Sequence, residues 1–178
     1  MSLAKEILVK ALQDIQIQYP TYQFMTRRDV TWILQKKMRD LIAKEGYPFE
    51  IYHSYPLKRG ERTWKDYELV VLPQGMSYRE IFKLNSPVEL VIRLLFEPSW
   101  HRVDICEYHL PYVLSTNIET EKEELQSLIS EHKTKEAQLI LIDEYSRHQT
   151  NLANDATHKW QSWGNYDDPG LNVSVLMV

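Results

Sequence analysis

Apolar residues recur at helical spacing through the first part of the chain. Over residues 2–18 they fall three and four positions apart, which places them on one face of an amphipathic helix. The same spacing returns between Thr26 and Gly46, where only Lys37 interrupts the apolar stripe. Thr26 and Asp29 resemble a capping box, and Gly46 is a residue typical of a helix C-terminus. The pattern therefore predicts two helices before residue 47.

The hydrophobic period then changes to one typical of strands. Strands are predicted over 49–55, 67–72 and 88–96, where β-branched, aromatic and aliphatic residues dominate. Between the last two, residues 73–87 contain two prolines and a glycine. This passage is predicted to be a loop with room for a short strand at Tyr78–Lys83.

The second half of the chain begins with a further helix and strand. Residues 117–136 carry acids in the first turns and lysines in the last, which suits the dipole of a helix. Residues 138–145 are apolar on both faces and predict a central strand. The tail 146–170 is polar, with Trp160 and Trp163 expected to pack on the body of the protein. The final residues, LNVSVLMV, predict a strand or a buried segment, either in the sheet or across a dimer interface.

Composition places the chain in the ordinary globular class. Its 178 residues are 43% hydrophobic and 26% charged, which favours one domain with a sizeable core. No apolar run approaches the roughly 18 residues of a membrane span, and the N-terminus does not read as a signal peptide. Cys106 is the one cysteine, so a reducing compartment, the cytoplasm, is expected. The formal net charge of -4 means that any nucleic-acid contact needs a local basic patch.

Three short motifs give a more specific indication. Glu68-Leu69-Val70-Val71 lies in the second strand, the segment IRLLFEP occupies residues 92–98, and Arg102-Val103-Asp104-Ile105 follows. With the order helix, three strands, helix and strand over residues 26–145, these motifs resemble the core of the PD-(D/E)XK superfamily, the restriction-endonuclease-like fold. The resemblance implies a single α/β domain with a mixed central sheet flanked by helices. Residues 1–25 then form an extra N-terminal helix, and residues 146–178 form a C-terminal tail.

The resemblance also implies a metal-dependent nuclease site. In such enzymes, carboxylates of the second and third strands hold Mg²⁺, and a lysine two positions after the third-strand glutamate assists the attacking water. Those positions correspond to Glu68, Arg93 and Leu95 in this chain. Arginine has no lone pair to offer a cation, and leucine cannot position water. A helical acid that often assists falls near Arg28, with Asp29 adjacent. These replacements predict a degenerate nuclease fold without Mg²⁺-dependent cleavage.

The role of Arg93 stays open between three alternatives. It forms an ion pair with Glu68 in a vacated metal site, or it binds an anion such as phosphate through its guanidinium. In the third alternative, a displaced Mg²⁺ or Mn²⁺ site uses Glu68, Glu89 or Glu97, which the predicted sheet would bring close together. The last alternative keeps an active nuclease as a rival function.

A basic hairpin is the candidate nucleic-acid contact. Its cations are Lys58, Arg59, Arg62 and Lys65, with Trp64 among them. Cations can follow a phosphate backbone while an aromatic ring stacks on a base. The alternative is a solvated loop without a ligand.

The remaining groups of polar residues give weaker indications of a functional site. His101, Cys106 and His109 match no common zinc spacing, and Asp143-Glu144 is expected to be a surface pair at a strand end. The sequence therefore predicts a catalytically inactive binding or assembly module, associated with nucleic acid and without cofactor. A structural homo-oligomer, such as a homodimer, is the further alternative.

Overall fold

The protein is a mixed α/β structure built around one six-stranded sheet. The computed structural model describes residues 1–22, 24, 26–59, 64–98, 113, 115–144, 148–149, 159–165 and 172–177. The helices of these residues are α1 (Leu3–Gln18), α2 (Arg27–Glu45), α3 (Tyr78–Phe82) and α4 (Ser115–Ser130), and a 3-10 turn covers Tyr19–Thr21. The strands are β1 (Phe49–Arg59), β2 (Trp64–Pro73), β3 (Val88–Glu97), β4 (Thr134–Asp143), β5 (Lys159–Asn165) and β6 (Asn172–Met177). None of the described helices is long and apolar enough to cross a bilayer.

The sheet is mixed, with the order β1-β2-β3-β4-β6-β5. The neighbours β3 and β4 run parallel, and every other neighbouring pair is antiparallel. Because α4 connects the two parallel strands, it crosses from one end of the sheet to the other. The two central strands are almost continuously buried, as the apolar character of residues 138–145 predicted.

Local capping explains where the first two helices start and stop. The Ser2 side chain accepts a hydrogen bond from the backbone of Lys5 at the start of α1. At the start of α2, the Thr26 amide donates to the Asp29 carboxylate at 2.7 Å, so the predicted capping box is present. Gly46 has a φ of 68°, and this left-handed conformation at the C-terminal end of α2 is one that glycine adopts without strain.

Two apolar cores cover the two faces of the sheet. On one face, α1 and α2 pack Leu8, Leu34 and their apolar neighbours against alternate residues of β3 such as Ile92. On the other face, α4 packs Ile118 and its apolar neighbours against the sheet. Burying one such aliphatic side chain contributes roughly 1.5–3 kcal/mol. The sheet is therefore held in place by helices on both sides.

Two local predictions are corrected by the structure. Residues Tyr78–Phe82 form helix α3 instead of a loop or short strand, because Ser77 and Glu80 make a second capping box. Helix α4 ends at Ser130, six residues before the predicted end. His132 has a φ of 57°, which breaks the helix, and Thr134 already begins β4. The acids and lysines of residues 117–136 suit a helix, but from Thr134 onward the backbone pairs with β3 and forms a strand.

The C-terminal residues belong to the sheet. Strand β6, at Asn172–Met177, lies between β4 and β5 and pairs with both. Its residues Val173–Leu176 are buried, so the apolar terminal segment is inserted in the sheet, one of the two predicted locations. Strand β5 contains Trp160 and Trp163 and forms one edge of the sheet.

Candidate functional site

Arg93 lies at the point where β2 and β3 separate. The pairing of these strands runs from Val71 opposite Leu90 to Leu69 opposite Ile92. One residue further along, Arg93 comes opposite Glu68. Since side chains alternate along a strand, Arg93 projects to the face opposite Ile92, the face that α4 covers.

The guanidinium of Arg93 is engaged on both of its sides. Its Nε and Nη2 atoms donate to the two carboxylate oxygens of Glu121 on α4, at 2.6 and 2.8 Å. Its Nη1 atom donates to Glu68 Oε2 at 3.1 Å and to the backbone carbonyl of Asp66 at 3.0 Å. The contact with Glu121 is the bidentate arrangement in which arginine binds a carboxylate most strongly.

Glu68 is shared between two arginines. Its second oxygen, Oε1, lies 3.1 Å from Nη1 of Arg27 at the start of α2. The side chains of Arg93, Glu68 and Glu121 are only 12%, 10% and 16% exposed, whereas that of Arg27 is 51% exposed. We call these four residues the Arg93 cluster. Its two positive and two negative charges balance, and it connects α2, β2, β3 and α4.

Tyr67 of β2 packs beside the Arg93 cluster. Its hydroxyl donates to Glu124 of α4 at 2.7 Å, and the Arg93 guanidinium carbon lies 5.7 Å from the ring centre. Burial raises the pKa of Tyr67 to about 12, although the charge of Arg93 opposes that shift. For Arg93, burial acts to lower the pKa, but the hydrogen bonds and charges of Glu121 and Glu68 outweigh it and raise the pKa. Both side chains therefore keep their protons at neutral pH.

The ion pair between Arg93 and Glu68 that the sequence suggested is present. Glu121 is a further partner that sequence reasoning missed, because it belongs to a helix 28 residues away along the chain. Leu95 is buried in the apolar core between the sheet and α4. Position 93 thus holds a paired cation, and position 95 holds a core residue.

The three carboxylates considered for a displaced metal site are far apart. Glu89 and Glu97 are eight residues apart on one strand, which corresponds to about 26 Å. Glu68 lies opposite Arg93, roughly midway between them. Glu89 is paired with Lys135 at 2.6 Å, and Glu97 contacts another partner. The expectation that the sheet would bring them together is wrong, because residues four apart on a strand share a face without touching.

Among the residues that the structure describes, no group of three or more His, Cys, Asp or Glu side chains is arranged to hold a metal ion. His101, Arg102, Asp104, Cys106 and His109 lie outside the described residues.

The basic hairpin is present as backbone. Strands β1 and β2 pair antiparallel up to Lys58 opposite Lys65 and Arg59 opposite Trp64. The hairpin arms are thus longer than predicted, by four residues in β1 and three in β2. Arg62 belongs to residues 60–63, which lie outside the described part of the chain.

A cavity of about 570 Å³ opens next to the Arg93 cluster. Helix α2 forms one wall, and β1 forms the other through His53 and Ser54. Ser54 has a φ of 49°, a left-handed conformation that is uncommon for a residue other than glycine. Among the residues that the structure describes, the lining consists of Arg27, Arg28, Thr31, Trp32, Gln35, His53, Ser54, Asp66, Tyr67, Glu68 and Arg93. This is the region in which the resemblance predicts a vacated nuclease site.

The α2 wall carries a pattern that the sequence analysis did not use. Arg28, Trp32 and Lys36 follow one another at intervals of four, which places them along one side of the helix. The Trp32 side chain is 60% exposed, and Lys36 Nζ lies 5.8 Å from the centre of its ring. Spacing of this kind is readable from the sequence, but only the structure shows that Arg28 and Trp32 border a cavity.

The acids at the end of β4 are buried, which corrects the prediction of a surface pair. Asp143 and Glu144 are 0% and 1% exposed. Glu144 accepts a hydrogen bond from the Tyr19 hydroxyl at 2.7 Å, and Asp143 accepts one from the backbone of His148 at 2.8 Å. The His148 ring in turn lies 3.1 Å from the Glu97 carboxylate. Packing by the N-terminal helix and the C-terminal residues buries a strand end that would otherwise be solvated.

Searches against protein-family models, curated proteins and solved structures give no match. The geometry of the described residues is therefore the basis for the functional argument.

Proposed function

We propose that the protein is a restriction-endonuclease-like domain that has lost its metal centre and acts as a binding module, with nucleic acid as the expected ligand. The observation that carries the proposal is the pairing of Arg93 with Glu68 and Glu121. A guanidinium at this position places a fixed positive charge where a nuclease of this fold places a metal ligand.

The contacts of Glu68 add to this reasoning. Each of its carboxylate oxygens has a guanidinium nitrogen at 3.1 Å. Mg²⁺ requires oxygen ligands at about 2.0–2.1 Å in octahedral geometry. A bound cation would have to displace at least one arginine and then lie beside the remaining positive charge. Repulsion between these charges opposes metal binding at the Arg93 cluster.

The basic hairpin supports nucleic acid as the ligand. Backbone pairing brings Lys58 opposite Lys65 and Arg59 opposite Trp64, so that three cationic residues and an aromatic one share one end of the hairpin. Such a group suits electrostatic contact with a phosphate backbone and stacking on a base. Because the net charge of the protein is -4, electrostatic binding to nucleic acid requires a local basic patch of this kind.

A cleavage assay tests the loss of the metal centre. The protein is incubated with plasmid and with single-stranded DNA in Mg²⁺ or Mn²⁺, beside a Glu68→Ala variant. We expect no cleavage by either protein. Cleavage by the wild-type protein that disappears in the variant would overturn the proposal and establish a metal-dependent nuclease.

A binding assay tests the nucleic-acid role. Labelled DNA is titrated at two salt concentrations with the wild-type protein, Arg59→Ala, Arg62→Ala and a control, Lys10→Ala, on the exposed face of α1. We expect binding that weakens with salt and with the two arginine variants but not with the control. Absence of binding at low salt, with a dimer mass by light scattering, would instead support an assembly role.

A further inference from the structure

The cavity beside the Arg93 cluster has the size of a small-molecule site. Its volume of about 570 Å³ falls within the range of roughly 300–1,000 Å³ that is typical of ligand pockets. Its described lining is mostly polar and charged, with Trp32 and Tyr67 as the large aromatic side chains.

Some of the charged side chains at this cavity have ion-pair partners among the described residues, and others do not. Arg93 and Glu68 neutralise each other, together with Arg27 and Glu121, inside the cluster. Within the described part of the chain, Arg28 and Asp66 line the cavity and make no hydrogen bond or ion pair through their side chains. Lys36 lies outside this lining, with its Nζ atom 5.8 Å from the centre of the Trp32 ring. One cation and one carboxylate of the described lining therefore remain to meet a ligand.

We propose that this cavity binds a nucleoside monophosphate. The base stacks on Trp32, an interaction open to every base because each has a π face. The phosphate, which carries a charge of about −1.5 to −2, lies against Arg28, the cation of the described lining that has no carboxylate partner. Asp66 accepts a hydrogen bond from an exocyclic amino group of the base or from a ribose hydroxyl.

The inference extends the proposed binding role to a particular ligand, and it rests on that proposal only in treating the cavity as free of a metal centre. It does not depend on the basic hairpin, whose cationic residues lie further along the same two strands, β1 and β2. A free nucleotide and the terminal nucleotide of a nucleic-acid strand offer the same chemistry. The experiment therefore includes both, and the free nucleotide is the ligand to which the proposal commits.

Calorimetric titration in the presence of EDTA tests the proposal. The probes are the 5′-monophosphates of adenosine, guanosine, cytidine and uridine, with ribose 5-phosphate and the nucleosides as controls for each half of the ligand. We expect at least one monophosphate to bind more tightly than its nucleoside and than ribose 5-phosphate. A short single-stranded oligonucleotide, titrated in the same way, distinguishes a strand from a free nucleotide.

Variants assign the binding to the cavity. Trp32→Ala should weaken binding by about 5- to 150-fold through lost stacking, whereas Trp32→Phe should retain most of it. Arg28→Ala should weaken phosphate binding by about 10- to 100-fold. Arg79→Ala, which removes an exposed arginine from α3, is the matched control and should bind as the wild type does. The replaced side chains are exposed, so circular dichroism should show every variant folded.

Three results would overturn the inference. These are no binding of any monophosphate at millimolar concentration, binding that is unchanged by Trp32→Ala and Arg28→Ala, and binding of the oligonucleotide alone. Oligonucleotide binding that depends on the hairpin would leave the proposed function intact while removing this one. Conversely, nucleotide binding that depends on Trp32, without DNA binding by the hairpin, supports the cavity alone.

Discussion

Replacing Arg93 by methionine removes the positive charge from the Arg93 cluster while keeping an apolar chain of similar length. Glu68 retains Arg27 as a partner, at 3.1 Å. Glu121 loses both of its hydrogen bonds to Arg93, which are the ion-pair contacts that the described residues give it. The variant therefore leaves a carboxylate that is 16% exposed without its guanidinium.

The expected loss of stability follows from that geometry. Removing one partner of a buried ion pair costs about 3–5 kcal/mol, because the other charge is left uncompensated. Glu121 keeps some contact with solvent, so we expect a value near the lower end, about 3 kcal/mol. For a domain whose free energy of unfolding is about 5–15 kcal/mol, the variant should still fold.

Urea unfolding at neutral pH measures this effect. With a slope of about 2 kcal/mol per molar urea, a loss of about 3 kcal/mol moves the midpoint down by about 1.5 M. The companion variant combines Arg93→Met with Glu121→Met. Because it removes both charges and fills the space with apolar atoms, it should be more stable than Arg93→Met alone by at least about 1.5 kcal/mol.

Two outcomes would refute the reasoning. If Arg93→Met changes the midpoint by less than the equivalent of about 0.5 kcal/mol, the cluster behaves as an exposed ion pair. If the double variant is less stable than the single one, the cost comes from lost packing and not from an uncompensated charge.

Three further predictions concern neighbouring parts of the fold. The pKa of Tyr67 is raised to about 12 in the folded protein, so the unfolded phenol ionises first, and stability present below about pH 10 is lost as the pH rises through 12. This loss should reach about 2–3 kcal/mol and should be smaller in Tyr67→Phe but unchanged in the exposed control Tyr78→Phe, as measured by urea unfolding across that pH range. Leu95→Ala should destabilise the core by about 2–4 kcal/mol in the same unfolding assay, and a neutral result would contradict its burial against α4. Tyr19→Phe should cost about 1–3 kcal/mol in thermal unfolding, because it leaves the buried Glu144 carboxylate without that donor.

Much of the secondary structure was predictable because it depends on local pattern. The first two helices, the first three strands and the capping residues of α2 follow from hydrophobic period and cap chemistry, which neighbouring residues determine. The boundary between α4 and β4 did not follow, because pairing with β3 competes with a good helical sequence. The short helix α3 was missed because a five-residue element has too few residues to show a period.

The candidate site divides in a similar way. The charge of Arg93 inside an otherwise apolar strand is visible in the sequence, and so is the suggestion that Arg93 meets Glu68. The partner Glu121 is not visible, since a helix in another part of the chain supplies it. The same limit applies to the spacing of Arg28, Trp32 and Lys36 on α2. This spacing is local, but the cavity beside Trp32 also requires β1 and β2, which lie opposite α2.

The sequence by itself determined the mixed α/β class of the fold, the apolar faces of its helices and strands, and the presence of a charged residue, Arg93, inside a buried strand. Only the tertiary structure decided which charges meet, because ion pairs and burial depend on residues that are distant along the chain. Glu89 and Glu97 share a strand face but lie about 26 Å apart, whereas Arg93 and Glu121 are 28 residues apart in sequence and 2.6 Å apart in space. Periodicity fixes the direction in which a side chain points, and packing fixes what it reaches.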